Sequence, residues 1–363
     1  MKSIAILTAQ FFDPNGERII FGGAERYLVD LVQLLEEMGY YPRVYQAGHH
    51  KWTRIYNQIE FRSLPSFRSE YDMFPELNAN FHNVTKDIHY RLYFSLNMCY
   101  PYADPQSIAI SHGVWWDSDS KAYYRSSEWM RRMEVSLNAP NWIVSVDTNT
   151  INWVRAAFPW MAQKMHYIPN YVNTQVFKPE PKEGNMFTVL YPRSLVGARG
   201  LKETQYAAGQ LLPRYRDMEF YFVGRGAPSD EEIMEQWARG STRVRYEWFD
   251  MKEMTRAYRQ SDVVLIPSKY SEGTSLSALE ALACGKVVIA GCTGGLTDLI
   301  LDDYNGFLIP VSTEAIVEKV EEVYLYRDHL RSIMKNARET ALSFSIERWR
   351  DQWQKLIKKA YPT

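Results

Sequence analysis

Short apolar runs rich in β-formers recur along the chain, each followed by a stretch with helical spacing, and this alternation limits the fold more than any other feature. The runs are IAIL, PRVYQ, SIAIS, WIVSV and HYIPN, then FTVLYP, MEFYFVG, VVLIPS, KVVIAG and GFLIP. Neighbouring parallel strands need a long crossover, which a helix supplies, so the pattern predicts parallel sheets layered with helices, an α/β class. After Ala24, residues Leu28, Leu31, Val32 and Leu35 fall at i, i+3, i+4 and i+7. They make one buried helical face, which Gly39 is placed to stop. Residues 173–186, NTQVFKPEPKEGNM, are polar and carry Pro179 and Pro181 between two apolar strand candidates, so a linker is expected there. That leaves 1–172 and 187–340 as two domains and 341–363 as a closing helix. Each half holds about five strand candidates, enough for a doubly wound sheet, and such sheets bind ligands at the carboxyl ends of their strands. Two sheets with a cleft between them are therefore expected.

The 363 residues are enough for two cores of this kind. With 42 Lys+Arg against 43 Asp+Glu there is no basic excess, which argues against nucleic acid as the main partner. Cys99, Cys284 and Cys292 are odd in number and lack CxxC or Cys/His spacing, so neither a disulfide framework nor a structural zinc site is expected. The start, MKSIAILTAQFF, has a single Lys and a short apolar run, and no run approaches the roughly 18 residues of a membrane span. These features predict a cytoplasmic protein. Aromatics reach 14%, and Trp52, Trp115, Trp116, Trp129, Trp142, Trp153 and Trp160 all precede the midpoint. Aromatic side chains serve cores and sugar-facing or interface surfaces alike, which leaves both uses open. The closing segment SIERWRDQWQKLIKKA sets Ile346, Trp349, Trp353 and Ile357 on one face, and either domain is a candidate to receive it.

The most informative stretch is IPSKYSEGTSLSALEALACGKVVIAG, residues 266–291, which reads as strand, small-residue loop, helix and strand. Glu272 falls in the loop and Glu280 in the helix. Gly273, Thr274 and Ser275 supply a turn and an N-cap, leaving backbone N–H groups of the first helical turn to face the cleft and attract phosphate. A carboxylate one or two turns along that helix can accept hydrogen bonds from a ribose diol, while one in the loop reaches the group beyond the phosphates.

With these residues in place, the sequence resembles the retaining, GT-B-fold, nucleotide-sugar-dependent glycosyltransferases of family four, or glycosyltransferase group 1. GGAERYLVDLVQLLEEMGYYPRVYQ is similar to the family's first glycine-rich loop and helix; SHG, IPNYVNTQVF, YPRSLVGARG, FVGRGAP, the paired-glutamate segment, GGLTDLI and NGFLIP follow in the family's order. The resemblance implies two Rossmann-like doubly wound domains facing across a cleft, acceptor in the first and nucleotide-sugar donor in the second. It gives the ribose hydroxyls to Glu280 and hydroxyls of the donor sugar to Glu272. Arg193 and Arg199 have the spacing at which members place an Arg and a Lys on the donor phosphates, so Arg199 replaces a point charge by a bidentate fork. His112, closing the strand SIAIS, is implied as a donor-sugar contact near the reaction centre. Gly22, Gly23, Asn170, Gly224, Gly226, Gly273, Thr274, Ser275 and Leu276 are implied to line the donor site, with Gly294 and Gly295 beside it. Many members have Gly-Phe-Gly after the first glutamate, where this chain has Gly273-Thr274-Ser275.

Asp117-Ser118-Asp119 reads as the DxD with which the other large glycosyltransferase fold chelates a divalent metal. It lies in the opposite half from Arg193, Arg199 and the paired glutamates, so no metal and no cofactor are expected. The helix KAYYRSSEWMRRMEVSL mixes Lys121, Arg125, Arg131 and Arg132 with Tyr124, Trp129 and Met130, but Glu128 and Glu134 dilute its charge. A solvated face is expected rather than contact with a membrane or an acceptor. The resulting expectation is a metal-independent retaining transferase moving a sugar from a nucleoside diphosphate to a carbohydrate or glycoconjugate hydroxyl. Two rivals are a nucleotide-sugar epimerase of the same fold and a catalytically silent GT-B subunit that binds nucleotide.

Overall fold

The computed structural model describes residues 2–362 except 21, 67–69, 115, 118–121, 250–252, 271 and 328–329. Two compact units result: Met1–Pro169 joined by Arg350–Thr363, and Asn170–Trp349. The division at residue 170 precedes the proline-bearing segment 173–186, which belongs to the second unit.

The first unit is built on strands β1 (Ser3–Leu7), β2 (Tyr41–Gly48), β3 (Thr53–Tyr56), β4 (Ile59–Pro65), β5 (Tyr90–Tyr93), β6 (Ile108–Ser111), β7 (Trp142–Ser145) and β8 (Met165–Tyr167). They form one sheet in the order β3-β4-β2-β1-β5-β6-β7-β8, parallel except where β3 pairs antiparallel with β4. From β1 the chain steps outward through β2 and β4, then returns to β5 and steps the other way, so the order reverses between β1 and β5. Helix α1 (Gly23–Glu37) buries Leu28, Leu31, Val32 and Leu35 as the spacing predicts. It ends in a Schellman motif, with Tyr40 N donating to Leu35 O at 3.0 Å and Gly39 N to Glu36 O at 2.9 Å. Gly39 sits at φ +86°, which favours glycine. Helices α2 (Glu70–Val84), α3 (Ser127–Asn138) and α4 (Thr148–Ala157) complete this unit's framework.

The second unit contains β9 (Phe187–Tyr191), α5 (Leu201–Leu211), β10 (Met218–Val223), α6 (Pro228–Arg239), β11 (Val244–Glu247), α7 (Met254–Gln260), β12 (Val263–Ile266), α8 (Leu276–Ala283), β13 (Val287–Gly291), β14 (Phe307–Ile309), α9 (Thr313–Leu325) and α10 (Arg331–Leu342). Its sheet is parallel in the order β11-β10-β9-β12-β13-β14, the doubly wound arrangement, reversing between β9 and β12. Every residue of β9, β12 and β13 is buried, as expected of strands covered on both faces.

Four strands lie beyond those expected: β3, β4, β5 and β11. Each carries an arginine that interrupts the apolar run, and the structure supplies those arginines with partners. Arg91 pairs with Asp104 at 2.6 Å, Arg62 with Glu60 at 2.6 Å, Arg54 Nε donates to Gly16 O at 2.7 Å, and Arg245 lies 3.9 Å over the Tyr221 ring. The β3–β4 hairpin turns through Asn57 (φ +47°) and Gln58 (φ +68°), both left-handed as a type I′ turn requires. Gln in place of Gly hides that turn in the sequence.

The tryptophans of the first half divide toward the core. Trp52 and Trp129 are buried, and the Trp116, Trp129 and Trp153 rings pack within 4.8–5.7 Å of one another, whereas Trp160 is exposed. Trp115, Lys121 and Asp119 lie outside the described residues. The closing helix α11 (Ile346–Ala360) uses its apolar face in both units. Trp349 packs with its ring tilted 4.4 Å from that of Tyr171 in the second, and Trp353 Nε1 donates to Tyr27 OH of the first at 2.7 Å. No helix among the described residues is long and apolar enough to cross a membrane.

Candidate functional site

In a doubly wound sheet the loops leaving the two strands at the reversal diverge and open a crevice. In the second unit those strands are β9 and β12. Arg193 lies two residues past β9, and Ser268 two past β12, where the chain enters the loop carrying Glu272 to α8. One carboxylate oxygen, Glu272 Oε2, gathers these groups. It accepts from Arg193 Nη2, from Arg199 Nη1 at 2.8 Å and from Ser268 Oγ at 2.5 Å. Arg193 also donates to Ser275 Oγ at 3.0 Å and to Ser268 Oγ at 3.1 Å, and Arg199 donates to Tyr270 O at 3.2 Å. The cluster is buried, with the Glu272 side chain 8% exposed, Arg193 9% and Arg199 24%. Burial by itself would raise the Glu272 pKa, but the two guanidinium groups and the Ser268 hydroxyl outweigh it and hold the carboxyl below its ordinary value. Burial lowers the Arg199 pKa against the pull of Glu272.

The loop is fixed from several sides. Ser275 is the N-cap of α8, its Oγ accepting from Ala278 N, so the first-turn N–H groups begin at Leu276 beside the arginine pair. Thr274 Oγ1 accepts from Asn170 N at 2.9 Å, and Thr274 O from Asn170 Nδ2 at 2.5 Å. The other Asn170 amide atom, Oδ1, is buried with no hydrogen-bond partner among the described residues. Gly294 and Gly295 lie against the same loop, and Gly295 N donates to Glu272 O at 3.0 Å. Gly224 and Gly226 have a packing role here: a Cβ at Gly224 would fall 2.0 Å from Arg193 O, and one at Gly226 2.7 Å from Leu195 O. Their absent side chains let the loops after β9 and β10 lie together, which positions Arg193.

Glu280, inside α8, is buried, and its Oε2 accepts from Tyr258 OH at 2.8 Å. Ser268 and Tyr258, which touch the two glutamates, are absent from the sequence expectations. Ser268 is signalled only by its place just past a strand, and Tyr258 by nothing local.

In the first unit Gly22 is the N-cap of α1 and Gly23 its first residue. A Cβ at Gly22 would meet Glu25 Oε2 at 2.9 Å, so the Glu25 carboxylate folds back over the helix start in the manner of a capping box. Burial pushes Glu25 up to about 7, against the backbone N–H groups of Glu25 and Gly22. His112 follows β6 and packs 4.4 Å from the Phe94 ring and edge-on to Tyr27 at 5.2 Å. Its Nε2 is buried with no partner among the described residues, and burial lowers its pKa to about 4 against a hydrogen bond to the Phe94 backbone. Asp117 is exposed. Among the described residues no three His, Cys, Asp or Glu side chains gather into a metal-holding group.

Comparison with known proteins agrees with this architecture. The glycosyl transferases group 1 model matches residues 172–340, and the glycosyltransferase family 4 model matches residues 21–176. Glycogen synthase of Pseudomonas aeruginosa is 32% identical over 197 residues, a match covering 50% of this chain and 36% of the relative. The chain thus spans about a third of the length of that relative, and a second glycogen synthase, from Pseudomonas paraeruginosa, is matched over 26% of its length at 37% identity. Among solved structures, sucrose-phosphate synthase from Thermosynechococcus elongatus superposes with a TM-score of 0.80 at 18% identity, covering 99% of both chains. Anabaena HepE, solved with UDP and glucose, superposes with a TM-score of 0.73 at 16% identity, covering 98% of this chain and 99% of its own. With two doubly wound parallel-sheet units and two family models that together run from residue 21 to residue 340, the chain belongs to the group 1 glycosyltransferases and has the GT-B fold.

Proposed function

We propose that the protein transfers a sugar from a nucleoside diphosphate sugar to an acceptor hydroxyl, with retention at the anomeric carbon and without a metal, in glycan or glycoconjugate biosynthesis in the cytoplasm. The observation that carries this reading is the meeting of Arg193, Arg199 and Glu272 at the reversal point of the second sheet, beside the N-terminus of α8. A diphosphate there meets two guanidinium forks and a helix dipole, all aimed at charge that grows as the leaving group departs. The diphosphate replaces Glu272 as counter-ion to the arginines, and the carboxylate, still held by Ser268, turns to the hydroxyls of the donor sugar. Glu280 takes the ribose diol. Asn170 Oδ1 is a further acceptor at the same loop. Attack of the acceptor hydroxyl on the face that the diphosphate leaves gives retention with no enzyme nucleophile, the departing phosphate oxygen taking the acceptor proton.

Since HepE was solved with UDP and glucose, UDP and UDP-glucose are the first probes to use. Calorimetry with UDP, ADP, GDP and TDP, followed by NMR of the product of a donor–acceptor mixture, tests the proposal. It expects binding of one nucleoside diphosphate, an anomeric configuration equal to that of the donor, and no transfer by Glu272→Ala. Absence of nucleotide binding, or an inverted product, overturns it.

A further inference from the structure

His112, immediately after β6, stands in a triangle of rings with Phe94, immediately after β5, and Tyr27 of α1. The centroids lie 4.4 Å apart for His112 and Phe94, 5.2 Å for His112 and Tyr27, and 6.0 Å for Tyr27 and Phe94. The imidazole bonds to the Phe94 backbone, and because Nε2 has no partner among the described residues, the donating nitrogen is Nδ1. A neutral imidazole has one donor and one acceptor, so a proton on Nδ1 makes Nε2 a buried acceptor.

One hydrogen bond does not fix such a ring. The last torsion of a histidine side chain is broad and roughly two-fold, so the imidazole rocks or turns over unless packing stops it. Tyr27 is placed to do so: it is 1% exposed and meets His112 with 89° between the ring planes. Tyr27 is held in turn by its hydroxyl, which accepts at 2.7 Å from Nε1 of Trp353, in the part of α11 that belongs to the first unit. Trp353 is fully buried. An indole N–H inside a core is costly unless it finds a partner, and a phenylalanine at 353 would fill much of the same space without a donor. What tryptophan adds there is the bond to Tyr27.

We propose that Trp353, acting through Tyr27, is a positioning residue for His112, holding the imidazole as the Nδ1–H tautomer with Nε2 as a fixed hydrogen-bond acceptor. Its bearing on transfer rests on the transferase reading above, in which His112 contacts the donor sugar. Long-range proton–nitrogen NMR correlations of the full chain, isotope-labelled at histidine, report which ring nitrogen carries the proton, and His112 is assigned by its loss in His112→Phe. Wild type, Trp353→Phe, Tyr27→Phe and Tyr40→Phe are compared. The Tyr40 hydroxyl donates to Tyr361 O at 2.6 Å at the opposite edge of the sheet, so Tyr40→Phe loosens the docking of the same chain end away from His112. At neutral pH the wild type and Tyr40→Phe should show one tautomer, protonated on Nδ1. Trp353→Phe and Tyr27→Phe should each add signal from the Nε2–H tautomer or from a second ring orientation. Should Trp353→Phe fail to fold, Tyr27→Phe decides. Wild-type ring signals in either folded variant, an equal change in Tyr40→Phe, or a wild-type proton on Nε2 overturns the proposal. In parallel, whichever of UDP, ADP, GDP and TDP binds the wild type selects the glucose donor for kinetics. Both variants should then lower kcat roughly tenfold with KM near wild type, since a displaced contact near the reacting centre acts on the transition state. Altered ring signals with kcat unchanged in both also overturn the positioning role. Wild-type turnover with unaltered ring signals in the variants removes that role and leaves the transferase reading in place. Failure of every nucleoside diphosphate to bind removes the transferase reading and leaves the ring signals to decide the role of Trp353.

Discussion

Gly294 leaves room for the carbonyl oxygen of Glu272: a Cβ at residue 294 would stand 2.0 Å from it, and the φ of +51° there is itself unfavourable to a side chain. Its neighbour repeats the arrangement, since a Cβ at Gly295 would stand 2.4 Å from the Gly273 carbonyl carbon. Both contacts are with backbone, which cannot swing aside as a side chain can. Gly294→Ala and Gly295→Ala are expected to lower stability by about 1–3 kcal/mol and to push the Glu272 loop away from Arg193 and Arg199. Transfer should fall at least tenfold in each variant, measured at a temperature where circular dichroism shows it folded. Wild-type kinetics in both would contradict this account of the loop.

Glu272→Gln removes a carboxylate that two largely buried arginines share. Loss of one partner from a buried ion pair costs about 3–5 kcal/mol, because the opposite charge stays desolvated. A diphosphate can supply the missing charge. Addition of UDP should therefore raise the melting temperature of the variant more than that of the wild type, while transfer is lost. The sign with pH follows from the depressed carboxyl: its contribution is intact above its ordinary value of 4.5 and disappears as pH falls through the lower folded value. The stability gap between wild type and variant should accordingly narrow only below about pH 4.5. An equal UDP shift in both proteins would count against the exchange of counter-ions.

Much of this site is legible in the sequence because its parts are local. Ser275 caps α8 as its place before an apolar helix requires, and Glu272 precedes it by one short turn. What joins Glu272 to Arg193 is the adjacency of β9 and β12, strands far apart in sequence, and Ser268 enters the cluster through the same pairing. Tyr258 reaches Glu280 from another helix, a contact that no spacing encodes. The fold is legible where strands are covered on both faces, as in β12 and β13, and is lost where partnered arginines break the apolar pattern, as in β5 and β11. The α3 helix shows the limit of charge counting: its mixed charges describe the outer face, while Trp129, Met133, Ser136 and Leu137 are buried on the other.

Two groups of the first unit titrate in opposition. His112 has a folded pKa of about 4, below its ordinary 6.5, so its contribution to stability is complete above 6.5 and is lost as pH falls toward 4. Glu25 is raised to about 7, so it favours the fold most when protonated and its contribution is lost as pH rises from 4.5 through 7. His112→Phe should therefore flatten the acid side of the stability profile, and Glu25→Gln should gain stability over the wild type progressively between pH 5 and 8. Denaturant titrations at several pH values check both. An imidazole that titrates near 6.5 in the folded protein by NMR would remove the first.

Glu280→Ala is expected to weaken binding of the nucleotide part itself. A ribose diol would lose a charge-assisted acceptor worth roughly 1.5–3 kcal/mol, or about ten- to a hundredfold in affinity for UDP or whichever nucleoside diphosphate binds. Tyr258→Phe leaves the carboxylate in place but removes the hydroxyl that orients it at 2.8 Å, so it should give a smaller loss in the same assay. Unchanged nucleotide affinity in Glu280→Ala by calorimetry would take the ribose role away from this residue.

The last prediction concerns metal. In the transfer proposed above a diphosphate leaving group needs positive charge, and Arg193, Arg199 and the N-terminus of α8 lie at one place in the second unit where they would supply it. Charge on the leaving oxygen grows toward the transition state, so Arg193→Ala and Arg199→Ala should each lower turnover more than donor affinity. A metal bridging the phosphates would compete for the oxygens that these forks would hold on that proposal. Transfer should therefore continue in excess EDTA, and Asp117→Asn, at the first position of the DxD in the first unit, should leave it near wild type. A requirement for Mn²⁺, lost in EDTA and restored by the ion, would overturn the assignment. So would a raised KM with unchanged kcat in both arginine variants, because that result places the arginines on ground-state binding alone.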